Sequence, residues 1–385
     1  MDYYKESLKL HEAHKGKWEM RSKVPVKTLE DLSLAYTPGV AQPCLEIAKN
    51  PEDAYKYTSK WNTVAIATDG SAALGLGNIG GMEALPIMEG KAVLFKEFAD
   101  IDAVPICLKT QDVDEIVMIL KNIAPTFGGI NLEDISAPRC FEIERRLQEE
   151  VDIPVFHDDQ HGTAIVVTAG VINSCRLLGK KMEDLEVAIS GAGAAGTAIA
   201  EMLEAFGVKD MVLCDSKGII SKSRTDLNEP KRELANKTNG MNVTGSLADA
   251  MKGRDVFIGV SQPGIVSGEM IRSMKPDPVV FAMSNPEPEI TPDEAIAAGA
   301  AVVGTGRSDY ANQVNNLLAF PGVFRGALDS RAKRITWEMK KAAAKAIADS
   351  LEEGDVKANY VIPTIFDKNI GKNVSEAVAR AWREY

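Results

Sequence analysis

The sequence predicts an α/β protein in two parts. A mixed α/β domain spans residues 1–161, and a doubly wound parallel-sheet domain spans 162–385, with C-terminal helices that cover the sheet or return to the first part. Three observations predict this. Short apolar runs at 63–69, 102–108, 153–156, 185–190, 211–214, 255–261, 278–286 and 300–307 alternate with longer stretches of helical periodicity, as parallel strands joined by crossover helices do. A chain of 385 residues exceeds one ordinary core. The string SGAGAAG at 190–196 lies between a predicted strand and a predicted helix, and the next strand ends in an acid roughly 20 residues further on, the layout of a Rossmann-type dinucleotide site.

Composition narrows the function classes. Hydrophobic residues make up 45% and charged residues 26%, values typical of a globular protein. A net charge of −11 without a basic, aromatic-interleaved stripe argues against a nucleic-acid partner. An anionic substrate would therefore need local cations. The start, MDYYKESLKLHEAHKG, has no apolar signal region, and no apolar run reaches the roughly 18–20 residues of a membrane span. The five cysteines (Cys44, Cys107, Cys140, Cys175, Cys214) are widely spaced, lack a CxxC pair and read as buried free thiols in a reducing compartment. A cytoplasmic protein is expected.

Taken in order, residues 3–20 form a helix whose exposed surface suits a subunit contact. His11 and His14 read as solvated surface rather than as metal ligands. In AYTPGVA (35–41) a helical turn stops at Pro38-Gly39, and Tyr36 taken alone is a packed tyrosine. The run 63–69 ends in the turn pair Asp69-Gly70. A loop with Gly75, Gly77, Gly80 and Gly81 follows, and its G-x-G-x-x-G-like string lacks a strand–helix context and a ribose acid, so it is not read as the dinucleotide site. Lys91 is placed before an apolar strand, Ala92 to Phe95. Desolvation there would let it lose its charge and act as a base near neutral pH, while the bland alternative is a snorkelling lysine. The helix Val113–Ile123 leads to the acidic centre.

That centre is NLEDISAPRCFEIERRLQEEVDIPVFHDDQHGTAI, residues 131–165. It opens with Glu133 and Asp134. A helical stretch follows, with Phe141, Ile143 and Leu147 apolar among Glu142, Glu144, Arg145, Arg146 and Gln148. The strand Ile153–Phe156 then delivers Asp158 and Asp159. Carboxylates gathered at the ends of two elements suit Mg²⁺ or Mn²⁺. The alternative is that Asp134 and Asp159 cap the helices after them.

A helix over Thr163–Leu178 leads into the second part. Leu185–Ser190 is a strand, Gly191-Ala192-Gly193-Ala194-Ala195-Gly196 the phosphate turn, Thr197–Phe206 a helix, and Met211–Cys214 a strand ending at Asp215. The glycines let the backbone approach a pyrophosphate at the helix N-terminus. Asp215 favours an unphosphorylated ribose, whereas Ser216, Lys217, Lys222 and Arg224 offset repulsion of a 2′-phosphate. The cofactor is therefore NAD or NADP, with a lean to NAD. The last three strands end in small or polar residues, Asn285 among them, and Asn312, Gln313, Asn315 and Asn316 read as a polar pocket lining. A hydride acceptor, a divalent cation, a lysine and a tyrosine are together the parts for oxidative decarboxylation of a 2-hydroxy acid.

AYTPGVA, TDG with LGLGNIG and GKAVLFK, NLEDI, FHDDQHGTA, SGAGAAG, MSNPEPE and NQVNNLLAFPG together closely resemble the malic enzymes in their short bacterial and archaeal form, over roughly residues 10–385. The resemblance implies conversion of (S)-malate to pyruvate and CO₂ with reduction of NAD(P), in a homodimer or higher homo-oligomer. It implies Lys91 as general base and Tyr36 as general acid, and Glu133, Asp134 and Asp159 as Mg²⁺ or Mn²⁺ ligands, oriented by Asp158. Gly191 to Gly196 and Asp215 would hold the dinucleotide. Lys91, Asn285 and Asn316 would meet substrate, with Asn285 also near the nicotinamide. Longer relatives carry an arginine after the Thr-Asp-Gly turn to clamp a malate carboxylate. Here Ser71, Ala72 and Ala73 stand there, and the asparagine cluster is the expected substitute. The segments that bind effectors in larger relatives are missing, so simple saturation kinetics are expected. Rival readings are a malolactic-type lyase that retains its cofactor, a non-catalytic dinucleotide-binding regulator, and an amino-acid dehydrogenase, which would not call for the acidic site.

Overall fold

The computed structural model describes residues 2–73, 75–367 and 369–385. β1 (Thr63–Thr68), β2 (Asp102–Cys107), β3 (Gly129–Leu132) and β4 (Val155–His157) form an all-parallel sheet in the order β2-β1-β3-β4. β5 (Glu186–Ser190), β6 (Asp210–Asp215), β7 (Gly218–Ile219), β8 (Val256–Gly259), β9 (Val279–Ala282) and β10 (Val302–Thr305) form a second in the order β10-β9-β8-β5-β6-β7. It is parallel except for the β6–β7 hairpin. The strand order reverses at β5. The crevice beyond its C-terminal end is where a doubly wound sheet binds ligands.

Helices α1 (Tyr3–His14), α2 (Leu29–Ala35), α3 (Ala41–Lys49) and α4 (Ala54–Tyr57) precede β1 and contain no buried residue. α5 (Leu85–Ala99), α6 (Val113–Ile123) and α7 (Arg139–Glu150) connect the strands of the first sheet, and α8 (Asp158–Leu178) leads to the second. α9 (Ala194–Ala205) joins β5 to β6. α10 (Glu229–Lys237) and α11 (Leu247–Met251) precede β8, while α12 (Gly268–Arg272) and α13 (Pro292–Ala297) lie on either side of β9. α14 (Phe320–Asp329), α15 (Trp337–Ala348) and α16 (Ile370–Arg383) follow β10.

The apolar run 92–95 is helical, not a strand. Four apolar residues fit either element, and here Met88, Lys91, Ala92 and Phe95 recur at helical spacing and are all buried. α6 shows the local logic plainly. The Asp112 carboxylate caps it by accepting from the Glu115 N–H (3.0 Å), and Ile116, Val117 and Leu120 face inward. α8, rich in Ala, Val and Ile, is buried along most of its length and ends at Gly179, whose φ of +65° suits the left-handed cap. It runs through residue 161. Val64, Ile66 and Phe95 share one apolar core with Ile165 and Val167 of α8 and with Val187, Ile189 and Phe281 of the second sheet. α14 returns to the first part, where Phe320 and Phe324 meet Phe95 edge-on at 4.8 and 5.4 Å between ring centres. All five cysteines are unpaired; Cys140, Cys175 and Cys214 are buried as expected, whereas Cys107 is half-buried and Cys44 exposed.

Candidate functional site

Glu133 extends β3, its N–H bonding to the Ala67 carbonyl (2.9 Å), and the chain then turns at Asp134 with φ +54°, a conformation aspartate tolerates. That turn aims Asp134 at the first turn of α8, where its N–H donates to Asp159 Oδ2 (2.8 Å). Ligand oxygens of Glu133, Asp134 and Asp159 lie within 4.8 Å of one another. The capping alternative is not what forms. α7 starts after Pro138 without a side-chain cap, and the N-cap of α8 is His157, also without one. Burial, then the Asp159 and Glu133 charges, push Asp134 up to about 8, and its buried Oδ2 has no partner among the described residues. Burial likewise raises Glu133. Three converging carboxylates, two of them raised by burial and one with an orphaned oxygen, fit a hard divalent cation.

Lys91 reaches this cluster from α5. Its Nζ lies 2.8 Å from Glu133 Oε1 and 2.5 Å from Asp158 Oδ2, with the Phe320 ring 4.0 Å away. Burial alone would lower its pKa, but Asp158 and Glu133 more than offset that and raise it. The expected loss of charge is thus corrected, because the sequence could not show that two carboxylates share the pocket. Lys91 stands as the ammonium ion. Burial and Glu133, opposed by Lys91, bring Asp158 to about 8.

Asn316 Nδ2 also donates to Asp158 Oδ2. Of the amides expected to line one pocket, it is the one that touches this cluster. Asn312 donates to Val303 and Ala358 carbonyls, Asn315 caps Leu317, and Gln313 bonds the Gly306 carbonyl. Gly162 explains the turn in HDDQHG. A Cβ there would stand 2.0 Å from Asp158 Oδ1 and 3.1 Å from Asn316 Cβ. Gly162→Ala must therefore push Asp158 off Lys91, and we expect kcat to fall roughly 10–100-fold, a strain of about 1–3 kcal/mol. A rate within twofold of the parent would show that Asp158 need not stay where it is.

The glycine-rich turn lies at the end of β5. A Cβ on Gly196 would meet the Gly191 carbonyl at 1.8 Å, and one on Gly191 the Val260 carbonyl at 2.6 Å, while Gly193 faces open space. Ala194 and Ala195 open α9. A cavity of about 950 Å³ runs from Gly191, Ala192 and Gly193 to Asp215, bordered by Pro138 and Phe141 of the first part. Asp215 accepts from Arg224 (2.7 and 3.2 Å), Lys231 (2.6 Å) and the Lys217 N–H (2.9 Å). These outweigh the effect of burial and hold it down to about 2. Lys231 escaped sequence reading because α10 brings it back from 16 residues away. The Lys217 ammonium pairs instead with Asp226, and Lys222 bonds Asn242 through its N–H.

Asn285 follows β9, and its amide makes no hydrogen bond among the described residues. Beside it, buried Glu289 accepts from the Ser261 N–H (2.8 Å) and the Ser284 N–H (3.0 Å), tying the ends of β8 and β9 together. Sequence reading missed Glu289. Tyr36 ends α2 at 66% exposure, with no hydrogen bond from its hydroxyl among the described residues. In the expected arginine's place, the Ala72 N–H donates to the Asp134 carbonyl (2.9 Å), and Arg139 of α7 pairs with Asp69 (2.9 Å).

These pKa values fix a sign. Raised Asp134 and Asp158 hold more protons in the folded cation-free protein than in the unfolded chain between about pH 4 and 8, so their contribution to stability falls as pH rises through that window, opposed by His161, which burial lowers. Glu144 and Asp215, both at about 2, have completed their opposite contribution below it. A cation needs the deprotonated carboxylates. The rise in melting temperature on adding Mn²⁺ should therefore be larger at about pH 8 than at about pH 6. The reverse order would contradict the assignment.

Residues 15–148 match the family described as malic enzyme, N-terminal domain, and residues 160–383 that described as malic enzyme, NAD binding domain. A bifunctional malic/malolactic enzyme of Bacillus subtilis is 56% identical over 385 residues, covering 100% of this chain and 94% of the relative. An NAD-dependent malic enzyme of Geobacillus stearothermophilus is 56% identical over 366 residues, 95% and 76% of the two chains. NADP-dependent malic enzymes are also among the relatives. The crystal structure of an NAD-dependent malic enzyme from Thermotoga maritima superposes with a TM-score of 0.94 at 50% identity, covering 97% of this chain and 98% of that one.

Proposed function

The chain belongs to the malic enzyme family, and from that premise we propose that it oxidatively decarboxylates (S)-malate to pyruvate and CO₂ while reducing a nicotinamide dinucleotide. The observation that carries this reading is the buried Lys91 ammonium, set between the Glu133–Asp134–Asp159 cluster and Asp158. Glu133, Asp134 and Asp159 would hold Mg²⁺ or Mn²⁺, which supplies polarisation of the substrate's 2-oxygen and stabilisation of the enolate. Gly191–Gly196 and Asp215 would hold the dinucleotide, which would supply the hydride acceptor.

Lys91 is the group placed to take the 2-hydroxyl proton. Were Glu133 held to a cation, Lys91 would lose one of the two charges that hold its proton, and burial would then weigh more heavily toward the neutral amine. Asp158 and Asn316 keep its Nζ aimed, and Asn316 with Asn285 would meet malate in place of the expected arginine. Tyr36 would return a proton to the enol carbon after CO₂ leaves.

Asp215 favours a free ribose hydroxyl, while Arg224 and Lys231 beside it temper repulsion of a 2′-phosphate. NAD is the preferred substrate and NADP a tolerated one, and a higher kcat/KM with NADP would reverse this. Tyr4, Leu8, Leu29 and Leu34, each more than 70% exposed on helices without a buried residue, suit burial against a second copy of the chain. A homodimer is the reading, and a monomeric sedimentation coefficient would refute it. No helix among the described residues is long and apolar enough to cross a membrane. Unpaired thiols fit a reducing compartment, and the cytoplasm is the proposed location.

Incubation with malate, Mn²⁺ and NAD or NADP should yield pyruvate and reduced cofactor in equal amounts. Lactate without released reduced cofactor would favour the second reading, a malolactic reaction on the same residues, which the name of the Bacillus subtilis relative brings into view. Neither product would refute both.

A further inference from the structure

Beside the acidic site lies a second buried charged cluster that the mechanism above does not use. Glu144, in the polar row of α7 by sequence, is 6% exposed, and His161 and Lys340 are 6% and 5% exposed. The Glu144 carboxylate grips the start of α8 at three points. Oε1 accepts from the His157 N–H (3.2 Å), Oε2 from Gln160 Nε2 (3.4 Å), and both oxygens lie 2.9 Å from His161 Nε2. Lys340 Nζ of α15 stands 3.1 Å from both ring nitrogens of His161 and 4.7 Å from the Trp337 ring centre. An imidazole donating from Nε2 to Glu144 keeps Nδ1 free to accept from Lys340. One neutral ring thus bridges a buried anion and a buried cation.

The gripped turn, His157 to His161, carries both Asp158 and Asp159. α8 has no side-chain cap of its own there; Lys91 and Asn316 hold the Asp158 carboxylate and the Asp134 N–H the Asp159 carboxylate, while Glu144 holds the turn itself through the His157 N–H, Gln160 and His161. Phe156 and Trp337 pack around the His161 ring at 5.4 and 6.3 Å between centres and close the cluster.

We propose that Glu144 is the positioning residue of the acidic site, holding the α8 turn that presents Asp158 and Asp159, and that Lys340, acting through His161, fastens that turn to the C-terminal helices. This rests on the reading of Glu133, Asp134 and Asp159 as the cation site. Groups that orient metal ligands typically change metal affinity roughly 10–100-fold when altered. A purely structural role would instead weaken every ligand together.

The test is Mn²⁺ binding to cation-free protein, read by electron paramagnetic resonance, beside NAD(H) binding read by fluorescence. Glu144→Gln should weaken Mn²⁺ binding roughly 10–100-fold and leave the dinucleotide dissociation constant within about twofold. Lys340→Gln keeps the three contacts to Glu144 and removes only the outer fastening. It should weaken Mn²⁺ binding by a smaller factor and serves as the second variant if Glu144→Gln does not fold. Mn²⁺ affinity unchanged in a folded Glu144→Gln, or Mn²⁺ and NAD(H) affinities falling in parallel, overturns the positioning role. If Glu144→Gln does not fold, unchanged affinity in Lys340→Gln does so. Absence of Mn²⁺ binding in the parent protein would instead overturn the cation-site reading beneath it.

Discussion

Replacing Lys91 by arginine should leave a folded protein whose kcat is lower by about 10³-fold, the middle of the range for a positioned acid–base group and equivalent to about 4 kcal/mol. Arginine preserves a cation for Asp158 and Glu133 but does not release its proton at working pH, so charge and proton transfer are separated in one variant. Lys91→Met gives the complementary result. It strands Asp158 and Glu133 without their shared cation at 0 and 6% exposure, and breaking such a buried pair costs about 3–5 kcal/mol. The cation-free methionine variant should therefore melt well below the parent, with the gap narrowing as pH falls and the raised Asp158 carboxyl takes up its proton. An arginine variant with parental kcat would remove Lys91 from proton transfer and leave it an electrostatic brace.

Tyr36→Phe should lower kcat by about 10²–10³-fold with little change in the KM for malate, as expected for a group that acts after substrate is bound. Stability should stay within about 0.5 kcal/mol, because the residue is exposed and its hydroxyl makes no hydrogen bond among the described residues. That separation makes Tyr36 an unusually clean test. A parental kcat would mean that protonation of the enol comes from another group or from water, and a lowered melting temperature would mean that the ring does structural work not visible in one copy of the chain.

The pattern of short apolar runs marked three of the four strands of the first sheet and five of the six of the second, missing β3 and β7, and SGAGAAG with Asp215 marked the switch point, because a phosphate turn imposes local rules on spacing and residue type. The carboxylates were also legible as acidic pairs at the ends of a helical stretch and a short strand, although β3, which Glu133 and Asp134 leave, was not read. The helix through Lys91 was not. Its run of four apolar residues fits either element, and the choice is made by Phe320 and Phe324 arriving from more than 200 residues away. The charge of Lys91 was misread for the same reason, as its partners Asp158 and Glu133 are neighbours only in the fold. Lys231, Glu289 and Glu144 share that fate. Each looks like a solvated charge in sequence, and each is given its task by a backbone N–H or side chain from another element. The asparagine cluster shows the converse. Adjacent amides suggested one pocket, yet the chain turns there and sends Asn312 and Asn315 to the backbone, leaving Asn316 to face Asp158.

The most direct measurement is a Mn²⁺ titration of cation-free protein followed by electron paramagnetic resonance, on the parent and on Asp134→Asn. The parent should bind one Mn²⁺ per chain, with malate altering the bound-ion spectrum, and Asp134→Asn should lose most of that affinity. Equal binding by the two proteins, or a bound-ion spectrum indifferent to malate, would contradict a cation held by Glu133, Asp134 and Asp159 at the substrate.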